Sequence, residues 1–287
     1  MPDAARAFTV VGADGVVLSG EESGGAAGAD AVVLLHGLTA SRRYVVMGST
    51  VLQRAGHRVI SYDARGHGRS APAARADEYG YERLADDLET VLDERGVQRA
   101  LLAGASMGAH TALRFALSHP ERVKALAIIT PAFDPTPNPF ARAAELERWD
   151  ALARGLREGG VDGFVAAYEL DAAPAALRAT LETVLRQRLA AHEHPLAVAD
   201  ALEAVPRSRP FDTVAQLHAI DAPTIVVASR DEADPGHPLA VGERYAQAIP
   251  QAQLLVEDEG PPTHSPLAWQ GGQLSRAIDA LAARARV

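Results

Sequence analysis

The chain has 287 residues, of which 47% are hydrophobic and 23% charged, and its formal net charge is −9. This length suits one large domain with an insertion, and the composition excludes fibrous and disordered proteins. There is no cysteine, which excludes disulfides, thiolate metal sites and cysteine nucleophiles, and Lys124 is the only lysine. The sequence has no basic stripe and no apolar run of about 20 residues, so we expect neither nucleic acid nor a membrane as a partner. The first residues lack the apolar core of a secretory signal, which predicts a cytoplasmic protein.

Short apolar segments alternate with amphipathic ones along most of the chain, which is typical of an α/β fold with a mostly parallel sheet. The first two predicted strands, 8–11 and 16–19, flank Asp14-Gly15, a dipeptide that suits a hairpin turn. Further strands are predicted at residues 31–35, 58–62, 99–103, 123–129, 224–228 and 253–257. Helices are predicted at residues 81–95, 106–118 and 266–286, where apolar residues recur at helical spacing.

The alternation breaks between residues 131 and 210. This stretch opens with four prolines and continues through segments rich in Ala, Leu and Arg, without a convincing strand. Because predicted sheet strands flank it on both sides, we interpret it as a helical lid over one edge of the sheet rather than as a separate domain. Its larger apolar residues line an acyl pocket or form the core of the lid itself: Leu146, Trp149, Leu152, Leu156, Phe164 and Tyr168.

The sharpest motif is Gly104-Ala105-Ser106-Met107-Gly108, which lies between a predicted strand and a predicted helix. A serine on such a tight turn holds its hydroxyl above the sheet edge, and the glycines let neighbouring backbone approach closely. The start of the following helix offers free N–H groups to developing negative charge. A chance Gly-x-Ser-x-Gly is common, and the alternative is a turn whose serine only caps a helix. The strand before it and the helix after it favour a nucleophile at Ser106.

A second motif, His36-Gly37-Leu38-Thr39, follows the buried strand predicted at 31–35. Acyl transfer needs two hydrogen-bond donors for the oxyanion, and backbone amides usually supply them. We expect the amides of Leu38 and Met107 to converge for this purpose. For His36 itself we favour a role in shaping the loop over a role in proton transfer.

These motifs, together with the segment 63–70 (Asp-Ala-Arg-Gly-His-Gly-Arg-Ser), make the chain resemble the α/β-hydrolase fold family. The resemblance covers the first 130 residues well and the last third more loosely. It implies an eight-stranded, mostly parallel sheet flanked by helices, formed by residues 1–130 and 211–287, with a helical lid at 131–210. It also implies a catalytic triad in the chain order serine, acid, histidine. The segment 63–70 is a loop landmark of the family, so we expect it to be structural rather than a metal site.

The expected base lies after the last strand, and His264 occupies that position. His264-Ser265-Pro266 resembles the family's Gly-His-Ser-Pro pattern, with Thr263 in place of the usual glycine. The expected acid follows the strand 224–228. The distance from the strand end favours Asp231, whereas the resemblance of Asp234-Pro235-Gly236-His237-Pro238 to the family's Asp-x-x-x-Pro pattern favours Asp234. We prefer Asp234 and keep Asp231 as the alternative acid.

Other histidines on helices, in loops or in the insertion match no role in this scheme: His110, His119, His192, His194, His218 and His237. His192-Glu193-His194 also suggests a metal site, but we expect a solvated turn, since alternating side chains point apart. The acidic loop 231–238 is equally expected to be solvated rather than a metal site.

The sequence therefore predicts a serine hydrolase that cleaves a small to medium, largely uncharged carboxylic ester or lactone through an acyl-enzyme. Such chemistry needs no cofactor and no metal. A serine at the turn 104–108 argues against dehalogenases and epoxide hydrolases, because those enzymes attack with a carboxylate. Cleavage of a carbon–carbon bond next to a ketone, and acyl transfer, remain open on the same scaffold. A rival from another class is a non-catalytic protein of this fold that binds a small ligand under its lid.

Overall fold

The computed structural model describes residues 5–25, 29–135, 139–173, 175–230, 236–257 and 266–285. Within them the chain forms eight strands: β1 (Arg6–Val11), β2 (Val17–Ser23), β3 (Ala31–Leu35), β4 (Arg58–Tyr62), β5 (Ala100–Ala105), β6 (Val123–Ile129), β7 (Thr224–Ala228) and β8 (Ala252–Val256). The same residues form eight α-helices: α1 (Val51–Arg54), α2 (Tyr81–Glu94), α3 (Met107–Ser118), α4 (Pro139–Ala167), α5 (Arg178–Leu189), α6 (Pro195–Arg207), α7 (Leu239–Ala248) and α8 (Gly271–Arg284).

The strands form one sheet in the order β1-β2-β4-β3-β5-β6-β7-β8. β2 pairs antiparallel with β1 and β4, and every other neighbouring pair is parallel. The predicted hairpin joins β1 to β2, and its turn is closed by a hydrogen bond from the Gly15 amide to the Gly12 carbonyl at 2.9 Å. The eight-stranded, mostly parallel sheet that the sequence predicted is confirmed. Because the parallel strands end at one edge, the loops after β3, β5, β7 and β8 start there together.

Helices cover both faces of this sheet, and β3 shows why. All five of its residues are buried, as a strand covered on both sides requires. Val33 and Leu35 belong to a core formed with α2, α3 and α7, while Val32 and Leu34 belong to a second core formed with α1 and α8. The alternation of side chains along the strand thus places one apolar layer on each face.

Three helices, α4, α5 and α6, lie between β6 and β7 in the chain. They share an apolar core of their own, which includes Leu152, Phe164 and Leu202. Another part of α6, including Val205, packs against Tyr81 and Met107 of the main body. This second contact places the inserted helices next to the sheet edge where β5 ends.

Four predicted strands, 31–35, 58–62, 123–129 and 224–228, have the observed bounds, and most other predicted boundaries differ by one or two residues. β2 runs further than predicted, to Ser23, because its second half pairs with β4. The sequence analysis did not predict α7 or the single turn α1, which are short. No helix in the described ranges is long and apolar enough to cross a membrane.

Candidate active site

Ser106 occupies a strained turn between β5 and α3. Its backbone has φ 51° and ψ −111°, a conformation that costs a non-glycine residue about 1–3 kcal/mol. Two backbone hydrogen bonds hold the turn: the Ser106 amide donates to the Ile129 carbonyl at 2.9 Å, and the His110 amide donates to the Ser106 carbonyl at 3.1 Å. The strand–serine–helix arrangement predicted from the motif is therefore present, and strain of this kind is typical of functional sites.

The two glycines of the motif lie where neighbouring backbone leaves no room for a side chain. A Cβ atom added at Gly104 would lie 2.2 Å from the Gly108 carbonyl oxygen. One added at Gly108 would lie 2.1 Å from the Leu35 carbonyl oxygen at the end of β3. The start of α3 thus packs directly on the strand that leads into the loop at Leu38. The sequence analysis gave the glycines this role, and the geometry agrees with it.

An imidazole lies against the Ser106 hydroxyl, and it belongs to His237. Its Nε2 is 3.0 Å from Ser106 Oγ, which is hydrogen-bond distance. His237 matched no role in the scheme drawn from the sequence, and this contact makes it a candidate for one. The only signal in the sequence is the position of His237 directly before Pro238, in the segment that leads from β7 to α7.

The two residues expected to complete the triad, Asp234 and His264, and the alternative acid Asp231 lie outside the described residues. The backbone on either side of their two segments is described, and both segments are tied to Glu257. Its carboxylate accepts a hydrogen bond from the Arg230 amide at 2.7 Å and from the Leu267 amide at 3.3 Å. A buried carboxylate at the end of β8 therefore anchors one end of each segment.

The loop after β3 is held by His36. The ring donates from Nδ1 to the Gly37 carbonyl at 2.8 Å and accepts at Nε2 from the Ala64 amide at 2.9 Å. Burial lowers the pKa of His36, which keeps the ring neutral and suits this pair of bonds. These contacts fit the loop-shaping role expected for His36. Leu38, next to Gly37, lines the same cavity as Ser106.

That cavity has a volume of about 60 Å³ and opens beside Ser106. The main body supplies one wall with Leu38, Tyr81, Ser106, Met107, His110, Ala132 and Phe133. The inserted helices and the residues after them supply the other with Arg142, Glu145, Trp149, Val205, Pro206 and Ser208. Of the apolar residues considered for an acyl pocket, Trp149 lines the cavity, whereas Leu152, Leu156 and Phe164 form the core of the insertion.

The segment 63–70 is structural, as expected. Asp63 accepts hydrogen bonds from the backbone amides of Arg42 at 2.8 Å and Arg69 at 3.1 Å, and its carbonyl accepts from the Ser70 hydroxyl at 2.6 Å. Among the described residues, no group of three or more His, Asp or Glu side chains is placed so that it could hold a metal ion.

His192, expected in a solvated turn, is instead buried between the insertion and this segment. Its Nδ1 accepts from the Gly68 amide at 2.8 Å and its Nε2 donates to the Thr39 carbonyl at 3.0 Å. The expectation was wrong because the contact joins residues 124 positions apart, which local composition does not reveal.

Comparison with known proteins agrees with this architecture. A sequence model described as the α/β hydrolase fold matches residues 30–263. The provisionally named carbamate hydrolase RutD of Variovorax paradoxus is 33% identical over 242 residues, covering 84% of this chain and 88% of the relative. The 2-hydroxy-6-oxononadienedioate/2-hydroxy-6-oxononatrienedioate hydrolase of Cupriavidus pinatubonensis is 32% identical over 240 residues, covering 80% of this chain and 79% of the relative.

Solved structures show the same fold. A thermophilic esterase from Thermogutta terrifontis superposes with a TM-score of 0.78 at 24% identity, covering 99% of this chain and 100% of the other. The family match, the two relatives and the sheet topology lead to one conclusion. The chain belongs to the α/β-hydrolase family and is a hydrolase.

Proposed function

We propose that this hydrolase is a serine hydrolase that cleaves a small to medium, uncharged carboxylic ester or lactone. The observation that carries the proposal is Ser106, whose hydroxyl lies on a strained strand-to-helix turn beside a cavity, with an imidazole nitrogen 3.0 Å away. A hydroxyl becomes a competent nucleophile when an adjacent base removes its proton, and this contact is the kind of pairing required.

The proposed reaction has two halves. Ser106 Oγ attacks the carbonyl carbon while its proton passes to a histidine, and the resulting oxyanion accepts hydrogen bonds from the amides of Leu38 and Met107. Met107 is the first residue of α3, where amides have no acceptor within the helix. The histidine then protonates the leaving alcohol, which departs and leaves an acyl group on Ser106. In the second half the same histidine takes a proton from water as the water attacks the acyl carbon. The bond between the acyl carbon and Ser106 Oγ then breaks, the histidine returns the proton to Oγ, and the acid is released. No cofactor or metal enters either half.

Two histidines compete for the role of base. Position in the chain supports His264, with Asp234 or the alternative Asp231 as the orienting acid, and this triad is our proposal. The contact between its Nε2 and Ser106 Oγ supports His237 as the second candidate for the base. Gln substitution at each histidine separates them, since loss of the base should reduce kcat by about 10⁴-fold or more. The proposed triad is supported if His264→Gln lowers kcat by this factor and His237→Gln lowers it much less. The reverse result would assign the role of base to His237.

Residues 131–210 are proposed as a lid over the active site. Arg142, Glu145 and Trp149 of α4 line the cavity, so its opening depends on where these helices lie. We further propose that the protein binds this small-molecule substrate and neither nucleic acid nor a membrane. The cytoplasmic location stays a prediction.

A fluorophosphonate probe tests the proposed function, because it reacts covalently with an activated serine. The wild-type protein should be labelled at Ser106, and Ser106→Ala should not be labelled. A folded protein that takes up no label would contradict the proposal and favour the non-catalytic ligand-binding protein.

The substrate class is tested on a panel of p-nitrophenyl esters, lactones, a carbamate and an aryl diketone. The carbamate and the diketone enter the panel because relatives are named as a carbamate hydrolase and as a hydrolase of hydroxy-oxo-diacids. Esters or lactones should turn over fastest. Product diverted to an added alcohol or thiol would instead indicate an acyltransferase.

A further inference from the structure

His110 lies one helical turn after Ser106 and lines the same cavity. Its Nε2 faces two backbone amides, those of Ala132 at 3.3 Å and Phe133 at 3.2 Å. An amide N–H only donates, so Nε2 must accept and the ring proton must lie on Nδ1. Burial, helped by the nearby imidazole of His237, lowers the pKa of His110 to about 3, which keeps the ring in this neutral form.

The protonated Nδ1 of His110 faces the hydroxyl of Tyr81, 3.2 Å away. Because Nδ1 carries the proton, the tyrosine oxygen is the acceptor in this bond. The hydrogen of the hydroxyl is then left for another acceptor, and within the described part of the chain His110 is the hydrogen-bond partner of that oxygen. Burial raises the pKa of Tyr81, so the hydroxyl keeps its hydrogen.

The cavity that Tyr81 lines is small, and the two charged side chains that line it, Arg142 and Glu145, have opposite charges. The guanidinium of Arg142 pairs with the carboxylate of Glu145 at 2.8 Å and donates to the Pro206 carbonyl. This pairing offsets the charge that α4 brings to the cavity, which favours an uncharged guest over an anion. The cavity volume of about 60 Å³ favours a short guest over a long one.

From this geometry we propose that the Tyr81 hydroxyl donates a hydrogen bond to an uncharged oxygen in the acyl part of the substrate. The enzyme then selects short oxygenated acyl groups, such as alkoxyacyl or oxoacyl groups, over alkyl groups of the same length. This inference rests on the proposed function, because it places the acyl group in the cavity beside Ser106. A buried donor left without an acceptor costs free energy, which is why an alkyl chain of equal size is the poorer guest.

Pairs of p-nitrophenyl esters that differ by one oxygen in place of a methylene group test the proposal. Methoxyacetate is paired with butyrate, and 3-methoxypropanoate and ethoxyacetate with pentanoate. The measured quantity is the ratio of kcat/KM within each pair, for wild type and for Tyr81→Phe. The added oxygen also changes the intrinsic reactivity of the ester. Because this change is the same for wild type and Tyr81→Phe, it cancels when their ratios are compared. The ratio should fall by about 2- to 10-fold in Tyr81→Phe for at least one pair, which is the range for one neutral hydrogen bond.

Ratios that are the same in Tyr81→Phe and in wild type for every pair would overturn the proposal. This includes the case in which Tyr81→Phe lowers kcat/KM equally for alkyl and oxygenated esters. If Tyr81→Phe does not fold, the wild-type ratios are compared with those for hydroxide-catalysed hydrolysis. Wild-type ratios no higher than the chemical ones then overturn the proposal, and higher ones support it.

Failure of the proposed function gives a different result. In that case the wild type hydrolyses none of the esters, and binding of the same pairs to Ser106→Ala is followed through the fluorescence of Trp149, which lines the cavity. Tighter binding of the oxygenated ester that is lost on adding Tyr81→Phe supports the role of Tyr81 without turnover. Equal binding of both esters contradicts it.

Discussion

Gly108→Ala tests whether the nucleophile turn and the loop after β3 form one rigid unit. The added Cβ would lie 2.1 Å from the Leu35 carbonyl oxygen and 2.8 Å from that of His36. An ordinary carbon–oxygen contact is about 3.3 Å, so the start of α3 and the end of β3 must separate by about 1 Å. Both neighbours are backbone atoms of buried elements and have no rotamer to change. Overpacking of this kind costs about 1–3 kcal/mol of folding free energy.

The catalytic effect of Gly108→Ala should exceed its effect on stability. The same displacement moves Ser106 relative to Leu38, and a 1 Å misplacement costs about 100-fold in rate. The assays are kcat/KM on a p-nitrophenyl ester, the rate of fluorophosphonate labelling, and urea unfolding. Gly272→Ala on α8 is the matched control: the nearest atom to its added Cβ is 3.8 Å away, on Arg276, so activity and folding should survive. Wild-type kcat/KM and stability in Gly108→Ala would refute the reasoning.

Three further substitutions or conditions probe the structure around the site. Asp87→Asn removes a charge partner from the fully buried Arg65 and should lower the free energy of unfolding in urea by about 3–5 kcal/mol. Asp77→Asn, in an exposed pair with Arg75, is the control and should not lower it measurably. Burial lowers the pKa values of His67 and His192, so on acidification the unfolded chain takes up protons first. The free energy of unfolding should therefore fall as pH drops below about 6.5, and a flat urea midpoint between pH 7.5 and 5.5 would contradict this. Glu257→Gln keeps one of the two hydrogen bonds that the Glu257 carboxylate accepts from backbone amides. It should lower kcat/KM by about tenfold, because the segments proposed to carry the triad acid and base lose a common anchor. Unchanged kcat/KM would show that this anchor is not needed.

The fold was predictable because its signals are local. The buried strand at 31–35 is an unbroken apolar run, and the segment 123–129 is apolar except for Lys124, so their bounds agree with the observed strands. The motif around Ser106 is equally local, and so is the contact that constrains Gly104, which is made by the start of α3. The contact that constrains Gly108 is not local, since it comes from Leu35 at the end of β3. Pairing of β2 with β4 is not local, and the prediction ended β2 too early for that reason.

The polar contacts of the site were not predictable, because each joins distant parts of the chain. His237 reaches Ser106 across 131 positions, and His192 reaches Gly68 across 124. Nothing in the composition around these histidines distinguishes them from solvated ones. The tautomer of His110 depends on two amides that come near it only in the folded chain. The sequence could indicate Ser106 as the candidate nucleophile, but not which imidazole faces its hydroxyl or which residues line the cavity beside it.

The proposed mechanism requires a covalent acyl intermediate on Ser106. During steady turnover of a p-nitrophenyl ester, an acid quench followed by peptide mass spectrometry should find the acyl group on the Ser106 hydroxyl. The adduct should disappear once the substrate is exhausted, and Ser106→Ala should neither form it nor release nitrophenol above background. An acyl group on another residue, or full activity in Ser106→Ala, would contradict the central claim.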